Sequence, residues 1–147
     1  LLDEILVTFK ETSTKKIYLV SQEDKNKFNF QRSPELIYGL RNFIGNAVKF
    51  SKSTVEIIIK SDIEKVELSI NDDGPGFPND IKEILGEPYI KSKSKEVISN
   101  SGTGLGTFLG KTLLERLLAN LVFSKNKKLG GASVIISWKI SDLKLSA

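Results

Sequence analysis

Asp72-Asp73-Gly74-Pro75-Gly76-Phe77 is the stretch of this 147-residue chain that decides its fold, together with a second glycine-rich stretch about thirty residues later. The first follows an apolar segment that is typical of a strand. The second, Gly102-Thr103-Gly104-Leu105-Gly106, opens directly into a leucine-rich helical pattern. Glycine allows positive φ angles and lets the backbone approach a ligand closely. Free N–H groups at a helix start bind anions, so the pair indicates a nucleotide pocket with a strand-end carboxylate and a phosphate-binding turn.

A helix is predicted from Ser33-Pro34 to about Phe50, because serine is a favoured N-cap and proline is tolerated at the first helical position. Its polar stripe comprises Asn42, Asn46 and Lys49, which share one face. A carboxamide oxygen suits Mg²⁺, and lysine is a point-charge partner for phosphate. Taken alone, the stripe fits a solvated helix face better. Apolar residues at three- and four-residue spacing are expected to be buried, namely Leu36, Leu40, Phe43, Ala47 and Phe50.

The remaining pattern mixes strands and helices without strict β-α-β alternation. It predicts an α/β (α+β) two-layer sandwich, in which a mixed, largely antiparallel sheet of about five strands carries about three helices on one face. Residues 1–13 are expected to be the end of a preceding helix or a linker, and residues 14–147 one domain. A second long helix is predicted over Leu105–Leu121 and a short one over Asp80–Leu85. Strands are predicted over Lys16–Val20, Phe28–Phe30, Val55–Ile59, Val66–Ile70, Ala119–Phe123 and Ala132–Ile140, with turns at Ser61-Asp62 and Gly130-Gly131.

Composition excludes several kinds of chemistry. The chain has no cysteine and no histidine, which excludes disulfides, thiolate or imidazole metal ligands and a phosphohistidine within it. The net charge is only +4 and three of its 22 basic residues are arginines, which disfavours a nucleic-acid reader. No apolar run approaches the roughly 20 residues that span a bilayer. Because the chain starts at Leu1 and lacks methionine, we expect a fragment of a longer protein.

Each glycine-rich stretch also has a simpler interpretation. Asp-Asp-Gly-Pro-Gly is favourable turn chemistry in its own right. The stretch Gly102 to Gly106 could be a flexible hinge, although alternate glycines at a helix start favour phosphate binding. It is not a P-loop, because the G-x-x-x-x-G-K-[ST] pattern is missing, and the polar segment before it does not fit a dinucleotide fingerprint.

Taken together, the segments resemble the ATP-binding catalytic domain of bacterial sensor histidine kinases, within the group that includes DNA gyrase B, MutL and Hsp-type chaperones. Leu40 to Ser51 resembles the N box, Asp72 to Gly76 the G1 box, and Gly102 to Gly106 the G2 box, while Gly86 to Tyr89 lies at the position of the F box. The resemblance implies a Bergerat-type fold. The stretches Leu85–Tyr89, Lys111–Arg116 and Gly131–Trp138 resemble the redox-responding RegB-type branch, although the cysteine of that branch is missing and Lys139 replaces its usual proline.

The resemblance also implies roles for individual residues. Asn46 would bind Mg²⁺ that bridges the phosphates, and Asn42 would support that metal shell. Lys49 would contact the terminal phosphates, Phe50 would line the base site, and Asp72 would accept the adenine amine. The residues implied to shape the pocket or hold phosphates are Gly74, Gly76, Gly102, Thr103, Gly104, Leu105 and Gly106.

A lid is implied over residues 90–101. Ile90 at its start would contact the cofactor, and Lys91 or Lys93 would close on the γ-phosphate. The catalytic residues implied by the resemblance are therefore Asn42, Lys49 and Lys93.

The residue type at position 42 distinguishes the ATP-hydrolysing branches of this group from the others. Relatives that hydrolyse ATP resemble E-x-x-x-N here, where the glutamate is the general base, but this chain has Asn42-x-x-x-Asn46. An amide is not a useful base at neutral pH, so the residue disfavours a hydrolase, an ATP-driven clamp and an anti-sigma serine kinase. The glycines at 45 and 110 within helices keep open a non-catalytic nucleotide-binding regulatory module.

The expected function is transfer of the γ-phosphoryl group of Mg-ATP to a histidine on a dimerisation domain outside this chain, for two-component signalling. A response regulator is the expected final partner. The resemblance implies a cytoplasmic domain of a dimeric parent attached to the bacterial inner membrane. The chain itself is expected to be monomeric and not to phosphorylate itself.

Overall fold

Three helices and five strands make up the described part of the chain. The structure, a computed structural model, describes residues 1–23, 31–76 and 104–142, with the backbone alone at 104–106. The predicted strand Phe28–Phe30 and helix Asp80–Leu85 lie outside these residues. In chain order the elements are α1 (Leu2–Thr12), β1 (Lys16–Glu23), α2 (Pro34–Phe50), β2 (Thr54–Ser61), β3 (Lys65–Asp72), α3 (Gly104–Arg116), β4 (Asn120–Lys125) and β5 (Ala132–Lys139).

The strands form one mixed sheet in the order β1-β2-β3-β5-β4. Strands β1 and β2 are parallel, whereas β2–β3, β3–β5 and β4–β5 are antiparallel. The β2–β3 connection is a tight turn in which Asp62 Oδ1 accepts the N–H groups of Glu64 and Lys65, each at 2.8 Å. The predicted two-layer sandwich with a mixed, largely antiparallel five-stranded sheet is confirmed.

One face of the sheet carries the hydrophobic core. Ile57 pairs with Ile70, and Ile70 pairs with Val134, so the side chains of these neighbours point to the same face. Alternate residues are buried along β2 and along β3 up to Ile70, as expected for strands covered on one side, whereas β5 is buried at all but two positions. The helices pack on this face through a contiguous cluster that includes Leu40, Phe43, Leu114, Leu68, Ile136 and Trp138.

Helix α2 begins as its sequence predicts. Ser33 Oγ accepts the N–H of Leu36 at 3.1 Å, and Pro34 occupies the first turn. The predicted apolar stripe is buried from Leu36 to Ala47, but the prediction is wrong at Phe50, whose side chain is 42% exposed. The helix ends at Phe50, beyond the edge of the core, which leaves this ring at the surface.

Helix α3 is shorter than predicted. It ends at Arg116 rather than Leu121, because Leu118 adopts a left-handed backbone with φ of 69°. The N–H of Leu118 bonds to the carbonyl of Glu115 and that of Ala119 to the carbonyl of Leu114, which is the Schellman pattern of a helix end. Leu121 therefore belongs to β4, where it pairs with Ile136, and the strand starts at Asn120.

Glycines allow α2 and α3 to pack closely in antiparallel directions. A methyl group at Gly39 would lie 2.6 Å from Leu114, and one at Gly110 would lie 3.2 Å from the Cβ of Asn42. The glycine within α3 therefore has a packing role. A methyl group at Gly45 would lie 3.5 Å from the ring of Phe9 on α1, which is ordinary van der Waals contact.

Helix α1 packs against α2 and the sheet. Its apolar residues Leu2, Ile5 and Leu6 are buried within the same core. The proposed boundary after residue 13 coincides with the end of this helix, and it stays a prediction. Among the described helices, none has the length and apolar character needed to cross a membrane.

Candidate functional site

A buried carboxylate lies at the end of β3. Asp72 is the last residue of this strand and is only 5% exposed. Its Oδ1 accepts the N–H of Gly74 at 2.9 Å and the N–H of Ala132 at 3.2 Å. Both hydrogen bonds that described residues make to this carboxylate end on Oδ1, and no described residue donates to Oδ2. Burial raises the pKa of Asp72, and the two N–H donors offset this only in part.

Two glycines enclose that carboxylate. A methyl group at Gly131 would lie 2.3 Å from Asp72 Oδ1, and one at Gly74 would lie 2.2 Å from the carbonyl oxygen of Phe50. No side chain fits at either position, since real Cβ contacts do not fall below 3.0 Å. Gly76 has a φ of +85°, in the left-handed region that glycine adopts without strain. Backbone thus lines this end of the sheet, and α2, β3 and the β4–β5 hairpin meet there.

The neighbouring Asp73 has a different role. Its carboxylate accepts the N–H groups of Lys52, Ser53 and Thr54 at 2.7 to 3.2 Å, and the Ser53 hydroxyl at 2.9 Å. Desolvation would raise the pKa of Asp73, but these hydrogen bonds outweigh it and lower the pKa to about 2. Asp73 therefore fixes the loop between α2 and β2, while Asp72 faces the candidate pocket.

This difference predicts how stability depends on pH. Because the pKa of Asp73 is about 2 in the folded state and near 3.8 in the unfolded state, its stabilisation is present above pH 4 and is lost as the pH falls towards 2. We expect Asp73→Asn to lower the free energy of unfolding by about 1–2 kcal/mol at pH 7 and to differ little from the wild type near pH 2. Urea unfolding at both pH values measures this, and a constant difference between them would contradict it.

The C-terminal end of α2 is fixed by a lysine from the segment before β1. Lys15 Nζ donates to the carbonyl oxygens of Val48, Lys49 and Ser51 at 2.5, 3.1 and 2.6 Å. A cation here satisfies carbonyls that have no partner within the helix and complements the helix dipole. The Lys49 side chain is exposed and its Nζ lies 5.4 Å from the centre of the Phe50 ring. Both side chains are thus exposed at the end of α2, where the Phe50 carbonyl oxygen lies against Gly74.

The two asparagines of α2 lie against α3. Asn46 Nδ2 donates to Thr107 Oγ1 at 2.7 Å and lies 3.4 Å from Asn42 Oδ1. Both asparagines are partly buried, whereas a solvated helix face would leave them exposed. Since the donor end of the Asn46 amide is occupied, its Oδ1 is the end that can bind a cation.

The phosphate-binding stretch is described only in part. Helix α3 begins at Gly104, one residue before the predicted start at Leu105, and its backbone continues through Leu105 and Gly106. Gly102 and Thr103 lie outside the described residues. So do the predicted lid and its residues Ile90, Lys91 and Lys93.

A divalent cation fits this site only together with a ligand. The described residues contain no group of three or more His, Cys, Asp or Glu side chains that could hold a metal ion. A hard amide oxygen at Asn46 is a suitable single donor for Mg²⁺, which usually keeps few protein ligands and binds substrate phosphates. The amide oxygen of Asn46 would therefore hold Mg²⁺ only if a bound ligand supplied further oxygen donors.

Three residues of the site were missed in the sequence. The sequence places Gly131 in a turn and in a RegB-like stretch but gives it no role in the site, although a Gly-Gly pair where one glycine would suffice is a signal. Thr107 directly follows the glycine-rich stretch, and its polar side chain among apolar helix positions is a second signal. For Lys15 the sequence carries no signal that distinguishes it from the other lysines.

Comparisons with known proteins identify relatives of this chain. Residues 32–142 match the family described as histidine kinase-, DNA gyrase B- and HSP90-like ATPase. Sensor histidine kinase RegB of Cereibacter sphaeroides is 42% identical over 98 residues, which cover 63% of this chain and 21% of RegB. The chain thus spans about a fifth of the length of this curated relative.

Solved structures share the fold. The catalytic domain of histidine kinase ThkA, in a nucleotide-free form, has a TM-score of 0.69 at 20% identity, over 93% of this chain and 90% of that chain. Full-length ShkA in complex with AMPPNP has a TM-score of 0.62 at 23% identity, over 92% of this chain and 29% of that chain. At this level of identity the likeness shows a common architecture.

Proposed function

Since the chain belongs to the histidine kinase-, DNA gyrase B- and HSP90-like ATPase family, we propose that it binds Mg-ATP and donates the γ-phosphoryl group to a histidine on a separate dimerisation domain. The membership confirms the resemblance found in the motifs. The proposal is carried by Asp72, a buried carboxylate whose Oδ1 is held by two backbone N–H groups and whose Oδ2 faces no donor among the described residues. The exocyclic amine of adenine supplies that donor.

The phosphates would lie between α2 and the start of α3. The Oδ1 of Asn46 is the proposed ligand of Mg²⁺, supported by Asn42, and Lys49 is the proposed contact of the terminal phosphates. Free N–H groups at the start of α3, from Gly104 onward, favour negative charge. When bound, Mg²⁺ neutralises charge on the phosphates and so aids phosphoryl transfer. Phe50, which is 42% exposed, is the proposed wall of the base site.

The chemistry proposed is transfer rather than hydrolysis. The bond from the γ-phosphorus to its bridging oxygen breaks, a phosphorus–nitrogen bond to histidine forms, and ADP leaves. Asn42 packs against Gly110 of α3 and offers an amide, which cannot deprotonate water at neutral pH. The γ-phosphoryl group is therefore preserved for the histidine.

The parent protein and its partners are part of the proposal. Its relatives are sensor histidine kinases, and the chain covers a fifth of RegB, so the phosphoacceptor domain belongs to the remaining length. We expect a dimeric, membrane-attached parent that passes the phosphoryl group to an aspartate of a response regulator. RegB similarity supports the redox-responding branch, and the ShkA–AMPPNP complex supports an adenine nucleotide in this fold.

The test supplies the missing acceptor. The purified chain is incubated with ATP labelled at the γ-phosphate, Mg²⁺ and a histidine-bearing helical hairpin from a RegB-type kinase. Acid-labile label is expected on the hairpin and none on this chain, which contains no histidine. The matched controls are a hairpin whose histidine is replaced by glutamine and the Asp72→Asn variant of this chain.

Two results would change the assignment. ATP binding without any transfer to several such hairpins would favour a non-catalytic nucleotide-binding module. Rapid release of free phosphate would indicate a hydrolase and contradict the role argued for Asn42.

A further inference from the structure

The hydrogen bond between Asn46 and Thr107 joins two elements of the site that are far apart in sequence. The acceptor, Thr107 Oγ1, is 2.7 Å from Asn46 Nδ2, and Thr107 is only 3% exposed. The same NH₂ group also donates to Asn42 Oδ1 at 3.4 Å, so the threonine accepts the shorter of the two hydrogen bonds. This hydrogen bond is short and its acceptor is buried, so water does not compete for it.

We propose that Thr107 is a positioning residue for the metal-binding amide of Asn46. An asparagine amide has a donor end and an acceptor end, and a half-turn exchanges them. With Nδ2 held by Thr107, the amide presents Oδ1 as its free end, which is the end that binds Mg²⁺. This inference rests on the proposed function, since it concerns the cation that accompanies ATP.

The surroundings of Thr107 explain why its position is fixed. It lies in the first turn of α3, and α3 packs closely against α2: a methyl group at Gly39 would lie 2.6 Å from Leu114, and one at Gly110 would make a tight 3.2 Å contact with Asn42. A β-branched side chain in this setting has few rotamers. The bond thus couples the helix start proposed for the phosphates to the asparagine proposed for the metal.

The decisive variant is Thr107→Val, which keeps the shape of the side chain but removes the acceptor. Calorimetric titration with ATP is done in Mg²⁺ and again in EDTA. The affinity in Mg²⁺ is expected to fall about tenfold or more, in the range seen when partners of metal ligands are removed. The affinity in EDTA is expected to stay within about twofold, because adenine contacts do not depend on the amide of Asn46.

Thr107→Ser is the matched control, because it retains the hydroxyl and is expected to keep the Mg²⁺ dependence of the wild type. If the valine variant does not fold, as judged by thermal unfolding, Thr107→Ala is compared in the same two titrations. Equal losses in Mg²⁺ and EDTA would overturn the inference by showing a merely structural role, and so would no loss at all. Failure of the wild-type chain to bind ATP in either buffer would overturn the proposed function as well.

Discussion

Replacement of Asp72 by asparagine is expected to abolish adenine-nucleotide binding and leave the folded chain at least as stable. The asparagine Oδ1 can still accept the N–H groups of Gly74 and Ala132, so the local backbone is retained. Its other end is an NH₂ group, which opposes the amine of adenine with a second donor. Two donors that face each other in a buried site leave both without an acceptor, which costs binding free energy. We therefore expect the affinity for ATP to fall about 100-fold or more.

The stability of this variant follows from the sign of the pKa shift. Burial raises the pKa of Asp72 above its unfolded value, so its favourable contribution is greatest below pH 3.8 and is lost as the pH rises through the folded pKa. At pH 7 the wild type carries the cost of a desolvated charge. Asp72→Asn removes that charge, and its free energy of unfolding is expected to equal or exceed that of the wild type.

Calorimetry with ATP and urea unfolding at pH 7 measure the two effects. The matched control is Asp73→Asn, which alters the adjacent carboxylate and should show the reverse, namely lower stability with ATP affinity kept within a few-fold. GTP, which presents an acceptor where adenine has its amine, is expected to bind the wild type weakly. Wild-type affinity for ATP in Asp72→Asn would contradict the proposal that Asp72 binds the adenine amine.

Prediction from the sequence succeeded best at residues whose type favours one local conformation. Glycines after Asp72 allow a positive φ, and Gly76 has one. Serine and proline indicated the start of α2, and the predicted strand segments Val55–Ile59 and Val66–Ile70 lie within β2 and β3. Each of these depends on local chemistry that tertiary contacts do not alter, which is why the five-stranded sheet could be predicted from short segments.

The sequence-based predictions are wrong at positions where tertiary contacts determine the backbone conformation or the burial of a side chain. The leucines after Arg116 continue the spacing of α3, but Leu118 takes a left-handed conformation that usually requires glycine, and Leu121 turns into the core from β4. Phe50 continues the spacing of α2 beyond the reach of the sheet and stays exposed. Periodicity states which residues could share a face, whereas the length of the opposing surface determines which of them are buried.

The role of Gly131 shows the same limit inside the site. Its need for glycine arises from Asp72, which is 59 positions earlier by residue number (131 minus 72) and becomes its neighbour only when β5 pairs with β3. No local pattern distinguishes it from Gly130, which has a positive φ of 88° and open space around it. The two glycines of one turn therefore serve different purposes, one conformational and one steric.

Gly131→Ala is accordingly expected to disrupt the described part of the site strongly. The new Cβ would lie 2.3 Å from Asp72 Oδ1, 2.4 Å from the Asp72 carbonyl oxygen and 2.6 Å from the Gly74 nitrogen. Two of these atoms are backbone and cannot rotate away, so the β3 end or the hairpin must move. We expect the free energy of unfolding to fall by about 3 kcal/mol or more and ATP binding to be lost in whatever remains folded.

Gly130→Ala separates the steric effect from the general cost of altering this turn. Its methyl group meets no atom within 4 Å, so only the positive φ is penalised, at about 1–2 kcal/mol. It should retain ATP affinity, because the carboxylate of Asp72 is not displaced. Urea unfolding and ATP titration of both variants check the contrast. If Gly131→Ala binds ATP as well as Gly130→Ala does, the close packing of Gly131 against Asp72 does not determine ATP binding. In that case the Asp72 carboxylate can shift and still bind the nucleotide.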